Sequence, residues 1–187
     1  MGKVKIIAGA LKGKTLKATV TKSLRPTSAK VRESLFNIIR EITHGCRFLD
    51  LYAGTGAVGL EALSRGAKRV VFVDRSAKAI EAIVSIPAFK ISGSCAAFVG
   101  VAKSVLKKLE NINETFNCIY IDPPYYSDEI ENIMPVIAST KVLTAGCHVI
   151  LEHPAKKQLP HAIGNLITKK QYKYGDISLT VYEFLQD

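Results

Sequence analysis

Asp122-Pro123-Pro124-Tyr125 follows directly on the apolar run Phe116-Asn117-Cys118-Ile119-Tyr120-Ile121. A buried strand that ends in a carboxylate, two prolines and an aromatic ring delivers those groups to the carboxyl edge of a sheet. Open α/β sheets hold their ligands at that edge. The prolines remove two backbone donors and stiffen the turn, which leaves its carbonyls as acceptors. A carboxylate and a carbonyl aimed at one point suit a planar amino group with two N–H donors. A tyrosine beside them can stack on the ring that carries the amine. Asp122, Pro123 and Tyr125 are therefore candidate catalytic residues for methylating the exocyclic amine of a base. A plain β-turn would use the same residue types, so the tetrad needs support from elsewhere in the chain.

A glycine loop supplies it. Gly54-Thr55-Gly56-Ala57-Val58-Gly59 fits G-x-G-x-x-G between a strand and a helix, and Asp74 ends the next strand. Gly54 and Gly56 let the backbone approach a ligand closely, and Asp74 can accept hydrogen bonds from ribose hydroxyls. NAD and S-adenosylmethionine both satisfy that much. Asp50 separates them, because its carboxylate lies near the loop where a dinucleotide's pyrophosphate should rest, and like charges repel. S-adenosylmethionine carries no phosphate and offers an ammonium and a sulfonium instead. The chain also lacks a candidate hydride-transfer site, and the reading favours S-adenosylmethionine.

These loops need an alternating frame, and the sequence provides one. Residues 48–51, 69–73, 96–99, 116–121 and 147–151 read as strands. Helical patterns occupy 29–42, 58–64, 77–86, 102–109 and a Pro135-containing stretch over 128–138. The tail, 171–174 and 178–184 about a Gly175-Asp176 turn, reads as a β-hairpin. Alternation of this kind implies a Rossmann-like α/β fold with a seven-stranded, mostly parallel sheet and helices on both faces. The 187 residues are expected to divide into a basic β-hairpin extension over 1–24 and one methyltransferase domain over 25–187.

Charge singles out that extension. Residues 1–32 hold nine lysines and arginines and no acid, against a formal net charge of +10 for the whole chain. A basic arm on a nearly neutral body suits a polyanion that docks on one side. Val4, Ile6, Ile7, Gly9, Leu11, Gly13 and Leu16 give the arm a hairpin pattern, so it is more than a solvated lysine-rich terminus. Hydrophobic content of 48% suffices for a core, without a run long enough to span a membrane. No signal-like apolar region follows Met1, and a cytoplasmic location is expected. Cys46, Cys95, Cys118 and Cys147 form no C-x-x-C pair and read as buried thiols, the histidines are scattered, and no metal is expected.

Taken together, these residues resemble the small bacterial 16S ribosomal RNA guanine-N2 methyltransferases of the RsmD family. The resemblance runs through Ile6-Ile7-Ala8-Gly9, Lys12-Gly13-Lys14 and Leu24-Arg25-Pro26-Thr27, then Val31-Arg32-Glu33-Ser34-Leu35-Phe36-Asn37. It continues through Leu49-Asp50-Leu51-Tyr52-Ala53-Gly54-Thr55-Gly56 and Gly59-Leu60-Glu61-Ala62-Leu63-Ser64-Arg65-Gly66-Ala67, and closes with Asp122-Pro123-Pro124-Tyr125, Glu152 and Tyr174-Gly175. It implies that Asp50, Ala53, Gly54, Gly56, Asp74, Arg75, Val101 and Ala102 surround S-adenosylmethionine, while Asp122, Pro123 and Tyr125 hold a guanine. It further implies that Lys12, Lys14, Arg25, Thr27 and Arg32 face the RNA, namely 16S rRNA within the small ribosomal subunit or an assembly intermediate. One position departs from the family, which often has Asp or Asn after the third strand, against the cofactor's adenine. Val101 stands there. Two other readings keep the same fold: a DNA adenine-N6 methyltransferase, which usually needs a target-recognition domain this length cannot hold, and a non-catalytic RNA-binding assembly factor. A labelled-methyl assay on ribosomal subunits and duplex DNA separates them.

Overall fold

The computed structural model describes residues 2–18, 29–90, 93–125 and 128–186. Two short strands, β1 (Gly2–Lys5) and β2 (Thr15–Ala18), pair antiparallel with Lys5 opposite Thr15. Beyond them Ile6 N donates to the Lys14 carbonyl and Gly13 N to that of Ile6, so the ladder closes around a tight turn. The expected boundary between residues 24 and 25 lies outside the described residues.

The helix expected over 29–42 is broken. α1 (Ala29–Ile38) stops at Ile39, whose φ of −98° and ψ of 19° leave the helical region, and a single turn, α2 (Arg40–Thr43), resumes after it. From there strands and helices alternate: β3 (Arg47–Leu51), α3 (Ala57–Ser64), β4 (Arg69–Asp74), α4 (Ala77–Val84), β5 (Cys95–Val99), α5 (Ala102–Asn111), β6 (Phe116–Ile121), α6 (Glu129–Ser139) and β7 (Leu143–Pro154). Pro135 lies inside α6 without ending it. Its ring is on the exposed side, where water can take the carbonyl that loses its partner. The tail adds β8 (Ala162–Ile163), β9 (Leu166–Tyr174) and β10 (Ile177–Phe184).

The main sheet runs β5-β4-β3-β6-β7-β10-β9-β8. The first five strands are parallel, and β10, β9 and β8 each pair antiparallel with the strand before them in that order. Seven strands were expected, and the eighth, β8, is the correction. It has two residues, too few for an alternating pattern, and its signature is the Gly164-Asn165 turn that folds it onto β9.

Buried strands carry apolar residues on both sides, as a sheet covered on two faces requires. Phe48, Val70 and Phe72 pack with Leu35 and Phe36 of α1, Leu60 of α3 and Ile80 and Ile83 of α4. Leu49, Val71 and Val73 face the other way, onto Leu106 and Leu109 of α5 and Ile133 and Ile137 of α6. Ile6 and Leu11, from the turn between β1 and β2, are buried in the first of these clusters. Among the described residues, no helix is long and apolar enough to cross a membrane.

Candidate active site

After β3 the chain moves outward to β4 and β5, and it then returns to lay β6 on the other side of β3. That reversal opens a crevice at the carboxyl ends of β3 and β6, the place where doubly wound sheets bind ligands. Residues 52–56 leave β3 on one wall, and Asp122 to Tyr125 leave β6 on the other. Asp122 N lies 3.4 Å from the Leu51 carbonyl, so the ladder between β3 and β6 carries into the tetrad. Asp122 and Tyr125 are half-buried, Pro123 is buried, and Tyr125 packs against the α1 and α3 side of the core.

The glycine loop is held by the protein's own atoms. Ala53 N donates to the Val73 carbonyl at 2.8 Å and Gly56 N to that of Ala53 at 2.7 Å. Gly54 N donates to Asp74 Oδ2 and Ser76 N to Asp74 Oδ1, each at 2.8 Å. Gly56 has a φ of 73°, and a Cβ on it would lie 2.8 Å from Ile83 Cγ1. On Gly59 a Cβ would lie 2.3 Å from Phe72 Cε1. At Gly56 the left-handed backbone and Ile83 of α4 both demand glycine, and at Gly59 Phe72 of β4 does.

Asp50 is 1% exposed, and its Oδ2 accepts from Gly59 N at 2.8 Å, in the first turn of α3. Burial pushes its carboxyl up to about 7, against the pull of the Gly59 bond and with help from the Asp74 charge. The helix terminus that would cradle a pyrophosphate therefore already holds a carboxylate. What remains open suits a nucleoside without phosphate. Each Asp74 oxygen accepts one backbone bond and retains capacity for a ribose hydroxyl. Beside it Gly100 N donates to the Asp74 carbonyl at 2.9 Å, and Val99 and Val101 expose apolar surface, Val101 at 59%. Arg75 is exposed, while Ala102 turns its methyl into the α5 side of the core. Val101 is the residue before α5 and makes no side-chain cap. The carboxylate acceptors of Asp74 and the apolar wall fit an adenosine moiety.

Tyr52 joins the two walls. It has a φ of 71°, uncommon for a residue with a side chain, and its hydroxyl donates to Glu129 Oε1 at 2.5 Å, on the first turn of α6. Burial and the Glu129 carboxylate both raise its phenol pKa. Below the tetrad Tyr120 donates to Glu152, both buried. His153, read in the sequence as no base, is buried with Nε2 against Thr180 Oγ1 and Nδ1 against the Pro154 carbonyl, and burial lowers its pKa.

The N-terminal turn is fastened to α3 through Glu61, a fully buried carboxylate. Its oxygens accept from Ile7 N at 2.8 Å, Ala8 N at 2.9 Å and Arg65 Nε at 2.9 Å. Ser64 Oγ accepts from Leu11 N and donates to the Ala8 carbonyl. Gly9 passes so close that a Cβ would lie 1.8 Å from the Ser64 carbonyl oxygen. Lys12 and Lys14 are exposed on this turn.

Arg32 departs from the expectation that it faces RNA. It is 3% exposed, donates to the Lys5 carbonyl at 2.6 Å and lies 3.7 Å from Glu61 Oε2, so it braces the N-terminal segment from inside. Arg25 and Thr27 lie outside the described residues. Sequence reading gave no role to Tyr52, Glu61 and Ser64, which entered only through the resemblance, and did not single out Glu129. The one local signal was a Glu, a Ser and an Arg on the otherwise apolar helix after the glycine loop.

A glycine loop after β3, an acid ending β4 and an Asp-Pro-Pro-Tyr turn after β6, on a mostly parallel sheet, define a methyltransferase-like α/β fold. The chain belongs to the family described as conserved hypothetical protein 95, which it matches over residues 4–183. It is 33% identical over 181 residues to the Bacillus subtilis protein named "Putative rRNA methyltransferase YlbH", covering 96% of this chain and 98% of that one. The Haemophilus influenzae ribosomal RNA small subunit methyltransferase D is 29% identical over 159 residues, 84% of this chain and 82% of its own. Among solved structures, the Escherichia coli "Putative methyltransferase yhhF" superposes with a TM-score of 0.83 at 24% identity, all of each chain being covered. SMU.776, a "putative methyltransferase complexed with SAH", shares the fold at 14% identity with a TM-score of 0.65, over 88% of this chain and 51% of its own.

Proposed function

We propose that this protein uses S-adenosylmethionine to methylate the exocyclic N2 amine of a guanine in small-subunit ribosomal RNA. The observation that carries the reading is the meeting of the two loops at the crevice between β3 and β6, where Asp122 N reaches the Leu51 carbonyl at 3.4 Å. The cofactor supplies an electrophilic methyl group on a sulfonium. Asp74, Val99 and Val101 hold its nucleoside end at the tips of β4 and β5. Asp50 fixes the loop from behind by capping α3.

On the other wall the Asp122 carboxylate and the Pro123 carbonyl accept the two amine hydrogens. The amine lone pair is delocalised into the ring, and acceptance of both hydrogens favours a more tetrahedral nitrogen aimed at the methyl. Tyr125, supported by the core behind it, stacks on a base taken out of its strand. Asp122 then receives the proton the nitrogen sheds. Adenine N6 chemistry would fit the same tetrad; the names of the relatives support ribosomal RNA, and guanine rests on the resemblance to the RsmD family.

Unmodified small subunits incubated with protein and labelled cofactor, followed by mapping of the methylated nucleotide, test the reading. Methyl transfer to a guanine N2 is expected, with none to duplex DNA. Asp122→Ala should lower turnover about 10²- to 10⁴-fold with cofactor affinity unchanged. Near wild-type turnover in that variant would remove Asp122 from the chemistry.

A further inference from the structure

We infer that Lys170, Tyr172 and Tyr174 of β9 form a stacking track for the single-stranded RNA beside the target base. The inference rests on the proposed RNA substrate and adds a contact surface to it.

Strand register places the track. Tyr120 pairs with Ile150, Ile150 with Val181, and Val181 with Lys170. Two residues further along each strand, Glu152 pairs with Leu179 and Leu179 with Tyr172, a row that Asp122 joins as the residue after Ile121. Two further again, Pro154 pairs with Ile177 and Ile177 with Tyr174. Residues in one row share a face. Tyr120, Ile150, Leu179, Val181 and Ile177 all belong to the core cluster on the α1 and α3 side, and Tyr125, Tyr172 and Tyr174 are half-buried against it. The catalytic turn and the three β9 residues therefore lie on one face, at one edge of the sheet. Three strand spacings separate Asp122 from Tyr172, roughly 14 Å, with Glu152 and Leu179 buried between them, so RNA that meets both ends runs over the cover of that row.

The side chains suit that occupant. On this face β10 presents Ile177, Leu179 and Val181 and β7 presents Ile150, Glu152 and Pro154, and on β9 it changes to Lys170, Tyr172 and Tyr174. β9 carries Lys169, Lys170 and Lys173 and no acid. The Lys170 ammonium stands 5.1 Å from the centroid of the Tyr172 ring. Lys170 is exposed, so its ammonium can pass to an incoming phosphate and leave the ring to a base. A cation beside aromatic rings binds single strands without reading sequence, because every base offers a π-face.

The test uses the full chain and unmodified 16S rRNA, with direct RNA binding measured separately from methyl transfer. Tyr172→Leu and Tyr174→Leu should each weaken RNA binding and raise the RNA KM roughly 5- to 100-fold. Turnover at saturating RNA and cofactor affinity should hold. Tyr172→Phe and Tyr174→Phe keep the ring and should bind RNA like wild type, and Lys170→Gln should flatten the salt dependence. Leucine variants with wild-type RNA affinity would overturn the track. So would a parallel fall in RNA affinity, cofactor affinity and thermal midpoint, which means the rings only support the core. A wild-type protein that binds rRNA through these rings and methylates none of it would overturn the proposed reaction instead.

Discussion

Asp50 and Glu61 are two buried carboxylates with different settings. Glu61 has an arginine on either side and two backbone donors, while Asp50 has one backbone donor and a like charge nearby. The Asp50 carboxyl is raised from 3.8 to about 7, first by burial. A carboxyl with a raised folded pKa favours the native state fully below its unfolded value and loses that contribution as pH rises. The window is therefore about pH 4 to 7. Asp50→Asn should gain stability over wild type across that window, on the order of 1 kcal/mol per pH unit. Denaturation midpoints at several pH values check this, and parallel curves for the two proteins would contradict it. Glu61→Ala leaves Arg32 buried beside an empty site and should destabilise the fold by about 3–5 kcal/mol, seen in urea unfolding. Asp122 was legible in the sequence because its chemistry follows from the residue types in one turn. Glu61 was not, since its backbone partners Ile7 and Ala8 lie more than fifty residues away in the chain.

At the scale of elements, strands and helices were largely visible because burial on two faces makes short apolar runs and amphipathic stripes. The failures were local. β8 is too short for a period, and α1 breaks at Ile39 within an unbroken apolar stripe. α5 shows what an element can lack. Val101 precedes it with an extended backbone, φ −69° and ψ 134°, and offers no oxygen to the first-turn amides. Val101→Asp should cap the helix and add about 1 kcal/mol of stability, measurable as a higher unfolding midpoint. The same carboxylate would meet the cofactor's adenine, so cofactor titration should show tighter binding. A raised midpoint with unchanged affinity would separate capping from adenine contact.

Across the whole molecule, the basic N-terminal segment and the tail hairpin both pack on the α1 and α3 side of the sheet that Tyr125 joins. Cations gathered on that side should make RNA binding strongly salt-dependent. Lys12→Glu with Lys14→Glu should weaken rRNA binding and reduce the slope of log affinity against log salt. Cofactor affinity should be unchanged, and an equal loss of both would point to damage of the Glu61 anchorage instead. By itself the sequence determined the alternating fold, the glycine loop, the Asp-Pro-Pro-Tyr turn and the charge of the arm, because each depends on residues adjacent in the chain. Only the tertiary structure decided which polar groups share a burial site. Arg32 reads as an RNA contact from its charge, yet Lys5 and Glu61 draw it inside. Tyr172 becomes a candidate contact only once register sets it in the row of Asp122. Local pattern specifies what a segment can form; pairing across the sheet decides which side chains meet, because burial joins groups that the chain keeps far apart.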